Sequence, residues 1–263
     1  MGSATRGALA GTRAALAQLG RAELQVAEDL LAVGRVVGSS SQLRSALIDA
    51  EADDAQKRTL VESVFGSRIT ADSVTLLTDL ASNHWSDSTD LLEGIEELGL
   101  RVASESARDV AIDAELFAIE RAVASDAELE LALGSKLNPT ASKVQIADKL
   151  LAGNASPQTV AIVNHLVQQP RGRRIGELLR HAAGVVAEQR GFEIATVTTA
   201  SPLSTEQLDR LVRGLEAQYG HALRVNTIVD PAVLGGVRVQ IGDDVIDGSV
   251  ASRLSSLRQK LAG

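Results

Sequence analysis

The chain contains no cysteine. That excludes disulfides, thiol nucleophiles and thiolate metal sites, and it fits a cytosolic setting. Aromatic residues are only 2% of the 263. With so few rings and so much alanine, leucine and valine, the composition favours helix packed on helix over an all-β core. No stretch approaches eighteen uncharged apolar residues, so no segment reads as a membrane-spanning helix. Residues 1–20 carry Arg6 and Arg13 without an apolar central region, and no signal peptide is expected. An excess of positive charge is missing too. Lys and Arg number 26 against 34 Asp and Glu, for a net charge of −8. Nucleic acid selects for clustered cations that release counterions, so it is a poor candidate partner. One basic cluster exists, Arg171, Arg173 and Arg174. It is expected to be a solvated turn between helices, the alternative being a contact to an acidic partner.

The usual marks of an active site are absent as well. The four histidines, His84, His165, His181 and His221, make no i, i+4 pair around a glutamate. Zinc sites usually want three or four ligands, so these are expected to be surface or interhelix residues. No Gly-x-Ser-x-Gly nucleophile elbow occurs. The acidic run Asp49, Glu51, Asp53 and Asp54 precedes an expected helix, where carboxylates cap the first turn and favour its dipole. No catalytic residue, cofactor, metal or small-molecule substrate is expected.

What the sequence does hold begins with an internal repeat. Shifted by 86 positions, Val26, Leu30, Val33 and Val37 fall on Ile112, Leu116, Ile119 and Val123. Both sets step by four, three and four, one stripe of an amphipathic helix. Leu43 and Leu47 fall on Leu129 and Leu133, and Lys57 on Lys143. Val74, Leu77 and Leu80 fall on Val160, Val163 and Leu166. No gap is needed. Asn138-Pro139 reads as an N-cap with proline at the first helical position, and Ser156-Pro157 repeats the device. Thr70-Ala71 sits at the matching place in the first copy. Helices of ten to sixteen residues with short loops make a bundle. A longer helix over residues 88–105 closes the first copy, with its counterpart over 173–189, and an extra helix over 4–18 opens the chain. Trp85, the sole tryptophan, is expected as an interhelix anchor; the sharper reading is a hot spot for a partner.

The last quarter changes character. Residues 192–199 are rich in β-branched side chains and read as a strand. Ser204 and Gln207 make a capping box, and Leu208, Leu211, Val212, Leu215 and Tyr219 share one helical face. Residues 223–229 and 237–241 alternate as strands, broken by Asp230-Pro231. A last helix is expected over 250–261. Gly235, Gly236 and Gly242 are not followed by the Gly-Lys-Ser/Thr of a phosphate loop, so a bulge or a close backbone approach is expected. Asp243, Asp244 and Asp247 lack the twelve-residue frame of an EF-hand and read as turn residues. The expected fold is mainly α: helical bundle units over 1–107 and 108–191, then a small α/β domain over 192–263.

The C-terminal strings also carry a resemblance. Thr199-Ala-Ser-Pro202-Leu-Ser204, then Asp230-Pro231, Gly235-Gly236, Gly242 and Ile246-Asp247-Gly248-Ser249 follow in a fixed order. In order and spacing the chain resembles the delta subunit of F-type ATP synthases, called OSCP in mitochondria. Leu137-Asn-Pro139, Lys143 and Arg171-Gly-Arg173 match the helical part of that pattern. The duplicated bundle resembles the actinobacterial form, here with no membrane-anchored stalk segment. The resemblance implies a non-catalytic stator subunit of a proton-translocating synthase at the cytoplasmic face of the bacterial plasma membrane, peripheral and held through its partners. It implies a bundle that holds an N-terminal helix of an alpha subunit, next to beta subunits, between its first and fifth helices. It also implies an α/β domain on the stalk b subunits. Candidate contacts are Leu9, Leu16, Val74, Leu77 and Trp85, or Val160 and Val163 in the second copy. A generic helical scaffold is the alternative, and an enzyme using the glycine-rich tail is a third.

Overall fold

The repeat survives folding. In the computed structural model, which describes residues 2–135, 137–233, 235–242 and 244–250, helices α1 (Ser3–Leu19), α2 (Leu24–Ser39), α3 (Ser41–Leu47), α4 (Asp54–Phe65), α5 (Ala71–Ser82) and α6 (Ser88–Ser106) form the first copy. Helices α7 (Ile112–Ser125), α8 (Ala127–Gly134), α9 (Thr140–Leu151), α10 (Pro157–Gln168) and α11 (Ile175–Gln189) follow. Both ends of α4 and α9, and both ends of α5 and α10, lie 86 residues apart. The apolar stripe is buried alike in the two copies: Leu30 and Leu116, Leu47 and Leu133, Leu80 and Leu166 are all almost fully covered. Even the lysines correspond, since Lys57 and Lys143 are both buried. The Lys57 ammonium donates to the Ala81 carbonyl at 2.7 Å, which satisfies a charge inside the bundle.

Caps explain where the helices start. Asp53 and Gln56 form a capping box on α4, as its acidic run suggested. The Thr70 hydroxyl accepts from the Ser73 amide on α5, and the Ser156 hydroxyl accepts from the Thr159 amide on α10, with Pro157 inside the first turn. The Asn138-Pro139 expectation needs correction. Helix α9 begins at Thr140, so Pro139 occupies the cap position itself. The Asn138 amide is drawn away to donate to the Ala132 carbonyl at 2.8 Å.

Helix α6 is the hinge of the arrangement. It packs against α1, α2 and α5 as the sixth helix of the first copy, and against α10 as the first helix of the second. Its Ser104 hydroxyl also donates to the Val186 carbonyl of α11. A helix with neighbours on all sides is buried all round. Residues from Gly94 to Ser104 are accordingly all covered, including Glu96, Glu97 and Arg101. Met1–Val186 makes one compact unit and Ala187–Gly263 another.

In the second unit, strands β1 (Glu193–Thr199), β2 (Leu223–Val229), β3 (Val237–Ile241) and β4 (Asp244–Asp247) form one sheet in the order β2-β1-β3-β4. β1 runs parallel to β2 and antiparallel to β3, with Val197 opposite Thr227 and Val239. Helix α12 (Thr205–Tyr219) makes the parallel crossover. Its Ser204–Gln207 capping box is formed. Leu215 and Leu211 pack on Ala195, Val197, Val239 and Ile241, the alternating residues of one sheet face. Residues 251–261 of the helix expected over 250–261, and the turn residue Asp243, lie outside the described residues.

Candidate partner-docking site

A groove opens in the first copy where α1 and α5 converge beside α4. It has a volume of about 590 Å³. Gly11, Ala14, Ala15 and Gln18 line it from α1, and Thr78, Asp79, Ser82 and Asn83 from α5. Asp54, Ala55 and Arg58 of α4 close one end. Several of the lining side chains are small. A Cβ on Gly11 would lie 2.5 Å from Asn83 Oδ1, so a side chain there would displace the Asn83 amide from the groove edge. A trough floored by glycine and alanine brings a visiting backbone close, as ridge-into-groove helix packing requires.

The structure divides the residues nominated from the pattern. Leu9, Leu16 and Leu77 lie on the same helices but point into the core, at 8%, 4% and 1% exposure. They support the groove from below. Val74 and Val160 are half-buried, and Val163 is buried. Trp85 is buried as an interhelix anchor: its indole N–H donates to the Leu80 carbonyl at 2.8 Å, and its ring lies over Gly94. None of the nominated residues lines the groove. The signal for its walls was the Gly11, Ala14, Ala15 strip beside the leucine stripe of α1.

Two buried carboxylates on α6 tie the helices together. Glu97 accepts from Arg101 Nε at 2.8 Å and pairs with Arg13 of α1 at 2.8 Å. Glu96 is 3% exposed. It meets His165 Nε2 of α10 at 3.1 Å, Arg171 at 2.6 Å and Arg173 at 3.1 Å. The expected solvated turn at 171–174 is therefore corrected in part. Arg171 and Arg173 turn inward onto Glu96, while Arg174 stays exposed. Arg171 takes a positive φ of 45° to do so. Burial pushes the Glu96 carboxyl upward, but the His165 hydrogen bond and the two guanidinium charges outweigh it, so it sits below the usual carboxylate range. Glu97 behaves alike: burial raises it, and Arg101 and Arg13 bring it below the ordinary value.

The glycine motifs of the α/β unit are structural. Gly235 and Gly236 take φ of 76° and 85°. A Cβ on Gly236 would meet the Gly248 carbonyl at 2.5 Å, the close backbone approach expected there. Gly248 and Val250 donate to the carbonyls of Val237 and Gly235, closing the loop. Asp247 accepts from the Ser249 amide at 2.9 Å, and the hydrogen bonds from Ser249 hold its carboxyl below the usual range. Asp230 accepts from the Ala232 amide across Pro231, a turn that ends β2. Thr199 Oγ1 donates to the Ser201 carbonyl at 2.8 Å, just before Pro202. Gly242 turns β3 into β4 at φ 53°.

The fold defines the class: a mainly α chain with a small C-terminal α/β unit. The chain belongs to the ATP synthase delta (OSCP) subunit family, whose model matches residues 100–261. It is 54% identical over 265 residues to "ATP synthase subunit delta" of Leifsonia xyli subsp. xyli, covering 100% of both chains. It is 40% identical over 240 residues to the same-named protein of Kineococcus radiotolerans, covering 90% of this chain and 87% of that one. Among solved structures, a chain of the "Cryo-EM structure of Toxoplasma gondii mitochondrial ATP synthase hexamer, composite model" is similar with TM-score 0.40 and 20% identity, over 64% of this chain and 97% of that one. The chain is thus a non-catalytic stator subunit of an F-type ATP synthase.

Proposed function

We propose that the helical unit grips the N-terminal helix of an alpha subunit at the top of the catalytic head, beside the beta subunits. The α/β unit then docks on the C-terminal ends of the stalk b subunits. The observation that carries the first half is the trough between α1 and α5, open to solvent and floored by small residues. An amphipathic helix laid in such a groove buries its apolar face, the helix-in-groove mode of recognition. The two copies, 1–107 and 108–191, act as the rigid arm and 192–263 as the foot. In this reading the joint resists rotor torque, and the chain sits peripherally at the cytoplasmic face of the bacterial plasma membrane, held through its partners.

Binding of two separate probes tests this. The full chain is titrated with the N-terminal peptide of its host's alpha subunit and with the C-terminal segment of the b subunit. A chain ending at Val186 should keep the first affinity and lose the second. Equal affinity of both forms for the b segment would overturn the division of labour.

A further inference from the structure

The two copies agree in their buried residues but differ in kind at the elbow between α8 and α9. Leu137 is 93% exposed and Leu131 is 69% exposed, the two most exposed large apolar side chains among the described residues. Inside, this elbow matches its counterpart between α3 and α4. Leu133 and Leu47 are both buried, and Leu129 and Leu43 are both half-buried. Outside, the match ends. Shifted by 86 residues, Leu131 and Leu137 fall on Ser45 and Glu51, which are polar and exposed.

The elbow is held in place by its own hydrogen bonds. The Ser135 amide donates to the Leu131 carbonyl at 2.9 Å, and the Ser135 hydroxyl accepts from the Leu137 amide at 3.1 Å. The Asn138 side-chain amide donates to the Ala132 carbonyl at 2.8 Å. These three bonds fold the chain back on the last turn of α8, with the backbones of Leu131 and Leu137 both tied to Ser135. Charge differs between the copies as well. Helix α8 carries Glu128 and Glu130 behind its cap Asp126 and holds no cation. The matching positions in the first copy are Gln42, Arg44 and Ser40. Arg44 is used within its own copy, donating to the carbonyls of Val37 and Gly38. Glu128 and Glu130 have no cationic partner among the described residues.

We infer that the α8–α9 elbow is a second docking surface, which takes a partner segment presenting apolar side chains flanked by Lys or Arg. It is separate from the groove between α1 and α5 and does not depend on the reading given to that groove. A single exposed leucine is ordinary on a protein surface; two on one fixed elbow, both polar in the sister copy, form a surface that gains by being covered. Leu131 and Leu137 supply the apolar area, and Glu128 and Glu130 select for cations at its edge. The same charge disfavours other occupants. Two elbows meeting in a symmetric pair of chains would set carboxylates against carboxylates. An anionic lipid surface would be repelled in the same way.

The test uses the full chain and host membrane vesicles stripped of it, which carry the rest of the synthase. Leu131→Ser with Leu137→Glu installs the residues that the first copy already carries at these positions, so the variant should fold with an unchanged circular dichroism spectrum. Its binding to the vesicles should weaken at least tenfold, and Glu128→Lys with Glu130→Lys should weaken binding too. A second measurement reads the surface directly. The chain has no native cysteine, so Leu137→Cys takes a single apolar dye. Binding should shield that dye from iodide, while the same dye on Glu51→Cys stays as accessible as in the free chain. A benzophenone on Leu137→Cys should couple to a segment with Lys or Arg beside apolar residues. Unchanged affinity of either double variant, equal quenching at position 137 in the free and bound chain, or coupling to an acidic segment would overturn the proposal. So would a parent chain that self-associates and becomes monomeric in the leucine variant, since the occupant would then be a second copy.

Discussion

At the scale of single residues, the duplication has preserved a polar latch whose chemistry has drifted while its geometry has not. Asp29 of α2 accepts from the Thr70 amide at 2.7 Å and from the Ser73 hydroxyl at 2.9 Å. Its counterpart 86 residues on, Glu115 of α7, accepts from the Ser156 amide at 2.9 Å and from the Ser156 and Thr159 hydroxyls. Each carboxylate thereby ties the second helix of its copy to the N-terminus of the fifth, where the helix dipole also favours negative charge. Asp29→Ala leaves the fully buried Ser73 hydroxyl without that acceptor and should cost ~1–3 kcal/mol in urea unfolding. For pH, burial pushes Glu115 upward, but the hydrogen bonds from Thr159 and Ser156 bring it below the ordinary value. Glu96 and Glu97 are lowered too. A depressed carboxylate contributes stability that is complete above its unfolded value and is lost as pH falls through its folded value. The melting temperature of the helical unit should therefore fall as pH drops below about 4.5, the ordinary glutamate value. Glu115→Gln should flatten that acid limb, and an unchanged limb would remove Glu115 from the account.

At the scale of elements, period and caps were legible and orientation was not. The i, i+3, i+4 stripes placed the leucines of α2, α5, α7 and α10 inside because an amphipathic stripe has only one place to go. The Ser204–Gln207 and Ser156–Pro157 devices placed helix starts because they satisfy specific backbone donors. Helix α6 defeated this reading. It serves two copies, so it has no exposed face, and its Glu96, Glu97 and Arg101 look like surface residues until the second neighbour is in place. The turn at Arg171 failed for the same reason, since its acidic partner lies 75 residues back on α6. The groove was half legible: the helices were named, but the leucines nominated on them face the core, and the open walls are small or polar. Two glycines test the packing directly. A Cβ on Gly94 would lie 2.1 Å from the Trp85 ring, so Gly94→Ala should destabilise the helical unit by ~1–3 kcal/mol, with a shift in tryptophan fluorescence as the ring is displaced. Gly236→Ala meets both a left-handed backbone and the Gly248 carbonyl. It should lower the melting temperature of the α/β unit and leave that of the helical unit unchanged.

At the scale of the whole molecule, a duplicated bundle makes mechanical sense of a chain with no chemistry of its own. The two copies share α6 and are joined by the Glu96 cluster, which draws His165, Arg171 and Arg173 from the second copy onto a helix that also belongs to the first. Removing one partner of a buried ion cluster strands the remaining charges, so Glu96→Ala should cost ~3–5 kcal/mol and loosen the second copy from the first in hydrogen exchange. The division at Val186 and Ala187 separates the helical unit from the α/β unit. The central claim is that this chain is a mechanical link and no more. The direct measurement is ATP-driven proton pumping by host membrane vesicles stripped of the chain and rebuilt with either the full chain or one ending at Val186. The account predicts that ATP hydrolysis by the head continues in both cases, while pumping returns only with the full chain. Pumping restored equally by the shortened chain would contradict it.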